Sequence, residues 1–215
     1  MLKLFFIALL IVLPNISVFA NPRIYLVRHA QVDIEKPGWQ NSKNAALYKK
    51  EYNQTDIKPF NPDKVREKID FFESFDTVFC SPQLRAIETA SVLFRNGVVL
   101  TIDSVLIELD YPMVKIPVIQ FPTKGWLLVS RLLWMGGMNP GNKISYGKRK
   151  EELMIFSDEL ANFAVRNGSA VVVAHGMVNR ELVKILKGKG WHFCKGNRNR
   201  HKNLSVNCLE YICKE

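Results

Sequence analysis

The chain has 215 residues, 47% of them hydrophobic, and a formal net charge of +10. That length suits one α/β domain with a full core, and no repeat or low-complexity tract argues otherwise. The charge fits an anionic substrate or surface, but no zinc finger, RNA-binding signature or dense basic run supports nucleic acid, so no nucleic-acid partner is expected.

Residues 1–20 read as a leader rather than as part of the fold. Lys3 supplies a positive start, Leu4 to Leu13 is an unbroken apolar run, and Val18-Phe19-Ala20 places small residues for cleavage before Asn21. The run is too short for a comfortable membrane span, and no cysteine follows for a lipid anchor. A signal peptide over 1–20 and a single domain over 21–215 follow, with export to the periplasm or medium; an uncleaved anchor is the alternative.

Ile24-Tyr25-Leu26-Val27 reads as a buried strand, and Arg28 and His29 follow where it should end. In an open α/β sheet, ligands bind beyond the carboxyl ends of the strands. A guanidinium beside an imidazole there suits phosphate chemistry, one gripping oxygens and the other attacking phosphorus. Taken alone, the pair could equally be an idle surface feature.

Residues 31–60 are polar and read as a long loop with one short helix, overhanging the strand end. Asn61-Pro62 opens a helix expected over 62–74, with Val65, Ile69 and Phe72 at helical spacing. Thr77 to Cys80 is a second strand, stopped by Ser81-Pro82. A helix follows to about Arg95, then a strand from Val98 to Ile102. Residues 103–150 are irregular and hold an apolar piece, Trp126 to Met138, with Arg131 inside it. A helical cap inserted over the site is the expectation, and contact of 126–138 with a membrane surface is the rival. Leu153, Phe156, Leu160 and Phe163 mark a helix from Lys148 to Arg166, stopped by Asn167-Gly168. Ser169 to Ala174 is the strongest strand, followed at once by His175-Gly176 and a helix from Met177 to Leu186. Residues 187–203 read as a basic loop, and Leu204 to Cys213 as a last strand at a sheet edge. Strands alternating with helices give an α/β fold, a mostly parallel sheet covered on both faces.

Of the four cysteines, Cys80 reads as a buried free thiol. Cys194 could pair with Cys208 or Cys213, or with neither. No spacing suggests a metal site.

Three strand ends thus carry His29, Ser81 with Arg85 on the helix behind it, and His175. If the strands are neighbours, these side chains share one crevice. Here the chain resembles the histidine phosphatase superfamily, the fold of phosphoglycerate mutases and broad-specificity phosphatases. Leu26-Val27-Arg28-His29-Ala30 resembles its strand-ending Arg-His-Gly motif. Ser81-Pro82-Gln83-Leu84-Arg85-Ala86 with Thr89-Ala90 resembles its Ser-Pro-x-x-Arg-Ala helix start, and Ala174-His175-Gly176 its second histidine motif. The resemblance implies a three-layer αβα sandwich. It makes His29 the nucleophile, has Arg28, Arg85 and His175 hold the phosphoryl oxygens, and makes Glu108 the proton donor. Fixed positive charge and positioning suffice for phosphoryl transfer, so neither metal nor cofactor is expected, and the nucleophile's other ring nitrogen should donate to a backbone carbonyl.

Ala30 departs from the family's glycine, which matters only if the position needs positive φ. Gln31 and Asp33 are weak candidates for a further phosphate contact. Asp103 and Asp110 compete with Glu108 as the acid, Arg180 could bind substrate or face solvent, and His192 and His201 read as solvated. The expected activity is that of an exported phosphomonoesterase acting on a small phosphorylated molecule. A catalytically silent phospho-ligand binder and a mutase-type phosphotransferase are the alternatives.

Overall fold

A computed structural model describes residues 21–212 except 71, 95–96, 141–142 and 199; the candidate leader and Cys213 lie outside them. β1 (Arg23–Arg28) and β2 (Trp39–Gln40) precede α1 (Ser42–Tyr52), which is capped by Asn41 accepting from the Asn44 N–H at 3.0 Å. α2 (Asp63–Arg66) is far shorter than the helix expected over 62–74. Asp70 explains the break: it pairs with Arg23 and accepts from the Tyr25 hydroxyl at 3.2 Å, tying the chain to the start of β1 instead of to another helical turn. β3 (Thr77–Cys80), α3 (Leu84–Leu93) and β4 (Val99–Ile102) follow as expected. β5 (Phe121–Pro122) pairs with β2, and α4 (Thr123–Met135) follows it directly. α5 (Tyr146–Asn167) starts on the Ser145 cap and stops at Gly168, whose φ of 79° admits glycine readily. β6 (Ser169–Ala174) leads into α6 (Gly176–Gly188). β7 (Trp191–Phe193) lies in the segment read as loop, and β8 (Val206–Tyr211) closes the fold.

The main sheet has the order β4-β3-β6-β1-β8-β7. The four strands from β4 to β1 run parallel, while β8 pairs antiparallel with β1 and β7 with β8. The last strand is therefore interior, not at an edge. β7 covers it, with Trp191 buried against the Tyr211 ring and a Cys194–Cys208 disulfide joining its far end to β8.

Alternation along the central strands makes the layers. Ile24, Leu26, Ala170 and Val172 face a core shared with Leu153, Phe156 and Leu160 of α5 and Leu182 and Leu186 of α6. Tyr25, Val27, Val171 and Val173 face the opposite core, with Val65 of α2 and Ala86, Ala90 and Leu93 of α3. Each such leucine contributes about 1.5–3 kcal/mol by leaving water. The result is the αβα sandwich. Cys80 is its free thiol, fully buried, with its pKa pushed up to about 12 by that burial. α4 stands outside the layers, with Trp126 and Trp134 buried beneath it and Leu128 and Leu132 exposed. Among the described residues no helix is long and apolar enough to cross a membrane.

Candidate active site

Parallel pairing in register brings like ends together. Arg28 lies opposite Ala174 and Cys80 opposite Val173, so β1, β6 and β3 finish side by side. The His29 N–H donates to the Ala174 carbonyl at 3.0 Å and the Ser81 N–H to that of Val173 at 3.1 Å. The His29 and His175 rings consequently stand 5.1 Å apart.

His29 is buried, and its Nδ1 lies 2.6 Å from the Ala30 carbonyl oxygen. A carbonyl only accepts, so Nδ1 carries the proton and Nε2 presents its lone pair. Burial, then the Arg85 charge, lowers the His29 pKa to about 3; the ring is neutral at any ordinary pH. His175 is shifted the same way by burial and by Arg85. Its Nε2 lies 2.8 Å from Ser81 Oγ, while its buried Nδ1 has no hydrogen-bond partner among the described residues.

Arg85 is 2% exposed. Its Nε donates to His29 Nε2 at 3.3 Å, Nη1 to Asn53 Oδ1 at 2.9 Å and Nη2 to Gln83 Oε1 at 2.9 Å, and the Tyr52 ring lies 5.2 Å from the guanidinium carbon. None of the three acceptors is a carboxylate. Arg28 similarly donates from Nη1 to the His201 carbonyl, and its Nε is buried without a partner among the described residues. Two guanidiniums held by neutral acceptors leave positive charge that a bound anion would compensate. Gly176 belongs to this arrangement, because an added Cβ there would stand 3.2 Å from the Arg28 guanidinium.

Glu108 follows a short turn, Ser104–Leu106, capped by Asp103 accepting from the Val105 N–H at 2.8 Å. Leu106 and Leu109 anchor it in the core, and Arg149 of α5 donates to the carbonyls of Val105 and Ile107 at 2.8 and 3.1 Å. The Glu108 N–H donates to Gln83 Oε1 at 3.1 Å, so one side-chain oxygen holds both Arg85 and the acid's backbone. The competing carboxylates are otherwise engaged. Asp103 is the cap. Asp110 is tied to Lys49 at 2.6 Å and to Lys143; burial raises its pKa, but those lysines outweigh it and hold it below the usual range.

The segment before β8 closes the site. Asn203 Nδ2 donates to the carbonyls of His29 and Ala30 at 2.9 and 3.1 Å, and the Leu204 N–H donates to the Arg28 carbonyl at 3.1 Å. Leu204 has a φ of 57°, the one non-glycine residue with positive φ among those described. Such strain clusters at functional sites, and here it sets Asn203 against the nucleophile's backbone. Ala30 has no positive φ; it is fully buried and its N–H donates to Thr89 Oγ1 at 2.9 Å, so the position needs a small side chain only. Sequence reading assigned no role to Asn53, Asn203 or Arg149, nor to Gln83 within its motif. Of the remaining candidates, Asp33 pairs with Lys58 at 3.6 Å, and Gln31 and His192 are exposed. His201 and Arg180, though exposed, border the site: the His201 carbonyl accepts from Arg28, and partial burial, joined by the Arg180 and Arg28 charges, lowers the His201 pKa. Among the described residues no group of three or more His, Cys, Asp or Glu is placed to hold a metal.

The family model of the histidine phosphatase superfamily (branch 1) matches residues 24–214. The chain belongs to this superfamily. Solved structures share the fold with this histidine phosphatase superfamily member at low identity. The open reading frame Rv3214 of Mycobacterium tuberculosis is 15% identical over 88% of this chain and 91% of its own, with a TM-score of 0.55. A phosphoserine phosphatase of Entamoeba histolytica, in complex with 3-phosphoglyceric acid, is 15% identical over 86% and 89%, at 0.51. The ecdysone phosphate phosphatase of Bombix mori, in complex with tungstate, is 13% identical over 90% and 92%, at 0.51. Comparison with curated proteins gives no match.

The buried imidazoles of this superfamily member make acid costly. The unfolded chain protonates His29 near its ordinary 6.5, whereas the folded ring resists until about 3. Stability held above pH 6.5 is therefore lost as pH falls through that window, by about 2 kcal/mol from His29 alone at pH 5, and His175 adds in the same direction. Urea unfolding at pH 7 and pH 5 in phosphate-free buffer measures this. Equal free energies at the two pH values would contradict the effect of burial on His29.

Proposed function

We propose that the protein is a metal-independent phosphomonoesterase that works through a phosphohistidine at His29, on a small phosphorylated molecule outside the cytoplasm. The observation that carries this reading is the pairing of a neutral imidazole, its Nε2 lone pair left available by the Nδ1–Ala30 hydrogen bond, with two guanidiniums that have no carboxylate hydrogen-bond partner among the described residues. Membership of the superfamily supports phosphoester hydrolysis in general.

In the first step the phosphate displaces Arg85 Nε from His29 Nε2 and takes the donors of Arg28 and Arg85. His29 Nε2 attacks phosphorus, the N–P bond forms, the P–O bond to the leaving group breaks, and Glu108 gives its proton to the departing oxygen. In the second, Glu108 takes a proton from water as that water attacks phosphorus; the N–P bond breaks and inorganic phosphate leaves. His175 donates to a phosphoryl oxygen throughout from Nδ1, the ring nitrogen left unpartnered among the described residues, while Nε2 accepts from the Ser81 hydroxyl. Charge in flight sits on the peripheral oxygens, where fixed cations stabilise it most.

Export is supported by the leader-like residues 1–20 and by the Cys194–Cys208 disulfide, since such bonds persist in oxidising compartments. Rapid acid-free quenching during turnover of a radiolabelled phosphomonoester tests the mechanism. Label should appear on His29, acid-labile and alkali-stable, and turnover should be unaffected by a chelator. Label on another residue, or chelator inhibition reversed by added metal, would overturn the proposal.

A further inference from the structure

A cavity of about 1030 Å³ opens between α1, the stretch after Glu108 and α4. Small-molecule sites span roughly 300–1,000 Å³, so it is a large one. It adjoins the side chains assigned to the phosphate through two links. Asn53, which holds Arg85, is part of its lining, and so are Asp110 and Tyr111, the residues shortly after Glu108. A leaving oxygen that takes its proton from Glu108 directs whatever it carries toward this stretch of chain.

Much of its wall is carbon: Ala46 and Leu47 of α1, Met113 and Val114, Leu133 near the end of α4 and Met138 just beyond it. Leu47 is 57% exposed and Met138 58%, so the protein itself leaves this lining wet. Lys43, Lys50 and Lys115 stand exposed around the opening, while Lys49 and Lys143 are engaged by Asp110. Cations at the rim attract an anion, and apolar walls behind them reward a hydrocarbon. A polyhydroxyl leaving group would meet those walls with its hydroxyls unpaired, which is unfavourable.

Resting on the hydrolase reading above, we propose that this cavity receives the apolar leaving group of the substrate. The substrate is accordingly an amphiphilic phosphomonoester, with its phosphate at His29 and a hydrocarbon portion between α1 and α4.

The test uses the full chain and a series of alkyl phosphonates from butyl to decyl, each below its micelle concentration, with affinity measured by titration calorimetry. Phosphonates have no ester bond to break, so binding is read independently of turnover. Affinity should rise roughly fourfold for each added methylene that the cavity buries. Ala46→Trp, which fills the cavity, should flatten that slope. Leu47→Gln, an exposed change that folding tolerates, should weaken decyl phosphonate several-fold more than butyl. Equal affinity from butyl to decyl overturns the proposal, as does a slope that persists through both variants. Phosphate release from butyl phosphate is measured separately. Release without a chain-length slope overturns the cavity assignment alone, whereas a slope without release overturns the hydrolase reading and, with it, the assignment of the chain to a leaving group.

Discussion

His29→Ala should lower phosphate release by roughly 10⁴–10⁶-fold, the scale of losing a nucleophile that acts as one unit with its partners. The variant should still fold, for reasons visible in the hydrogen bonds. The Ala30 carbonyl that loses the imidazole keeps Asn203 Nδ2 at 3.1 Å, and Arg85 keeps Asn53 and Gln83. Arg85 Nε loses the imidazole as its acceptor, and the space the ring vacates admits a water to replace it. A second readout separates a dead enzyme from a damaged one: without the buried ring, the variant should escape His29's share of the acid destabilisation, about 2 kcal/mol at pH 5. Activity above a trace in the folded variant would remove His29 from the mechanism.

Glu108→Gln should have the second-largest effect, and an uneven one. General acid catalysis is worth about 10²–10⁴-fold when the leaving group is basic. An alkyl phosphate departs as an alkoxide and needs the proton, whereas nitrophenyl phosphate departs as a stabilised phenolate and needs it far less. Turnover of the alkyl ester should therefore fall by about that factor, and turnover of the nitrophenyl ester clearly less. Glutamine preserves the shape and keeps an oxygen for the Leu109 N–H, which donates to Glu108 Oε1 at 3.2 Å. Substrate affinity should hold, because the protonated acid that binds substrate and the amide that replaces it are both neutral. Equal losses on the two esters would make Glu108 structural and return attention to Asp110 and Asp103, despite the lysines and the capping bond that engage them.

The parts of this molecule legible in the sequence are those where local chemistry and tertiary role coincide. β1, β3 and β6 announce themselves as apolar runs, and the residues that end them are the ones that meet. α5 is readable because its apolar spacing and its Gly168 stop agree. The helix expected over 62–74 failed because Asp70 has a better partner in Arg23, 47 residues away, than in another helical turn, and no local pattern reports that. β7 is three residues among glycines and basic side chains, too short for alternation to register. Its presence turned the last strand from an edge into an interior one. The polar frame of the site was hidden for a related reason. Asn53 and Asn203 are ordinary amides far apart in the chain, and only folding makes them neighbours of Arg85 and His29; Gln83 stands two residues before Arg85, at a motif position that no residue type marks out.

The position of β1 has a consequence for how the site comes into being. It is the first strand of the chain and lies inside the sheet, yet its two neighbours, β6 and β8, are among the last segments made. Pairings of such high sequence separation must meet their loop-closure entropy before any contact rewards them, and they fold slowly. A nascent chain therefore carries His29 on an unpaired strand through most of its synthesis, with neither His175 nor Asn203 yet present. The nucleophile becomes competent in one late event, when the carboxyl-terminal third docks on both sides of the strand made first. A truncation before β8 would remove Asn203's anchoring strand and leave β1 with an open edge, and such a chain should aggregate rather than retain partial activity.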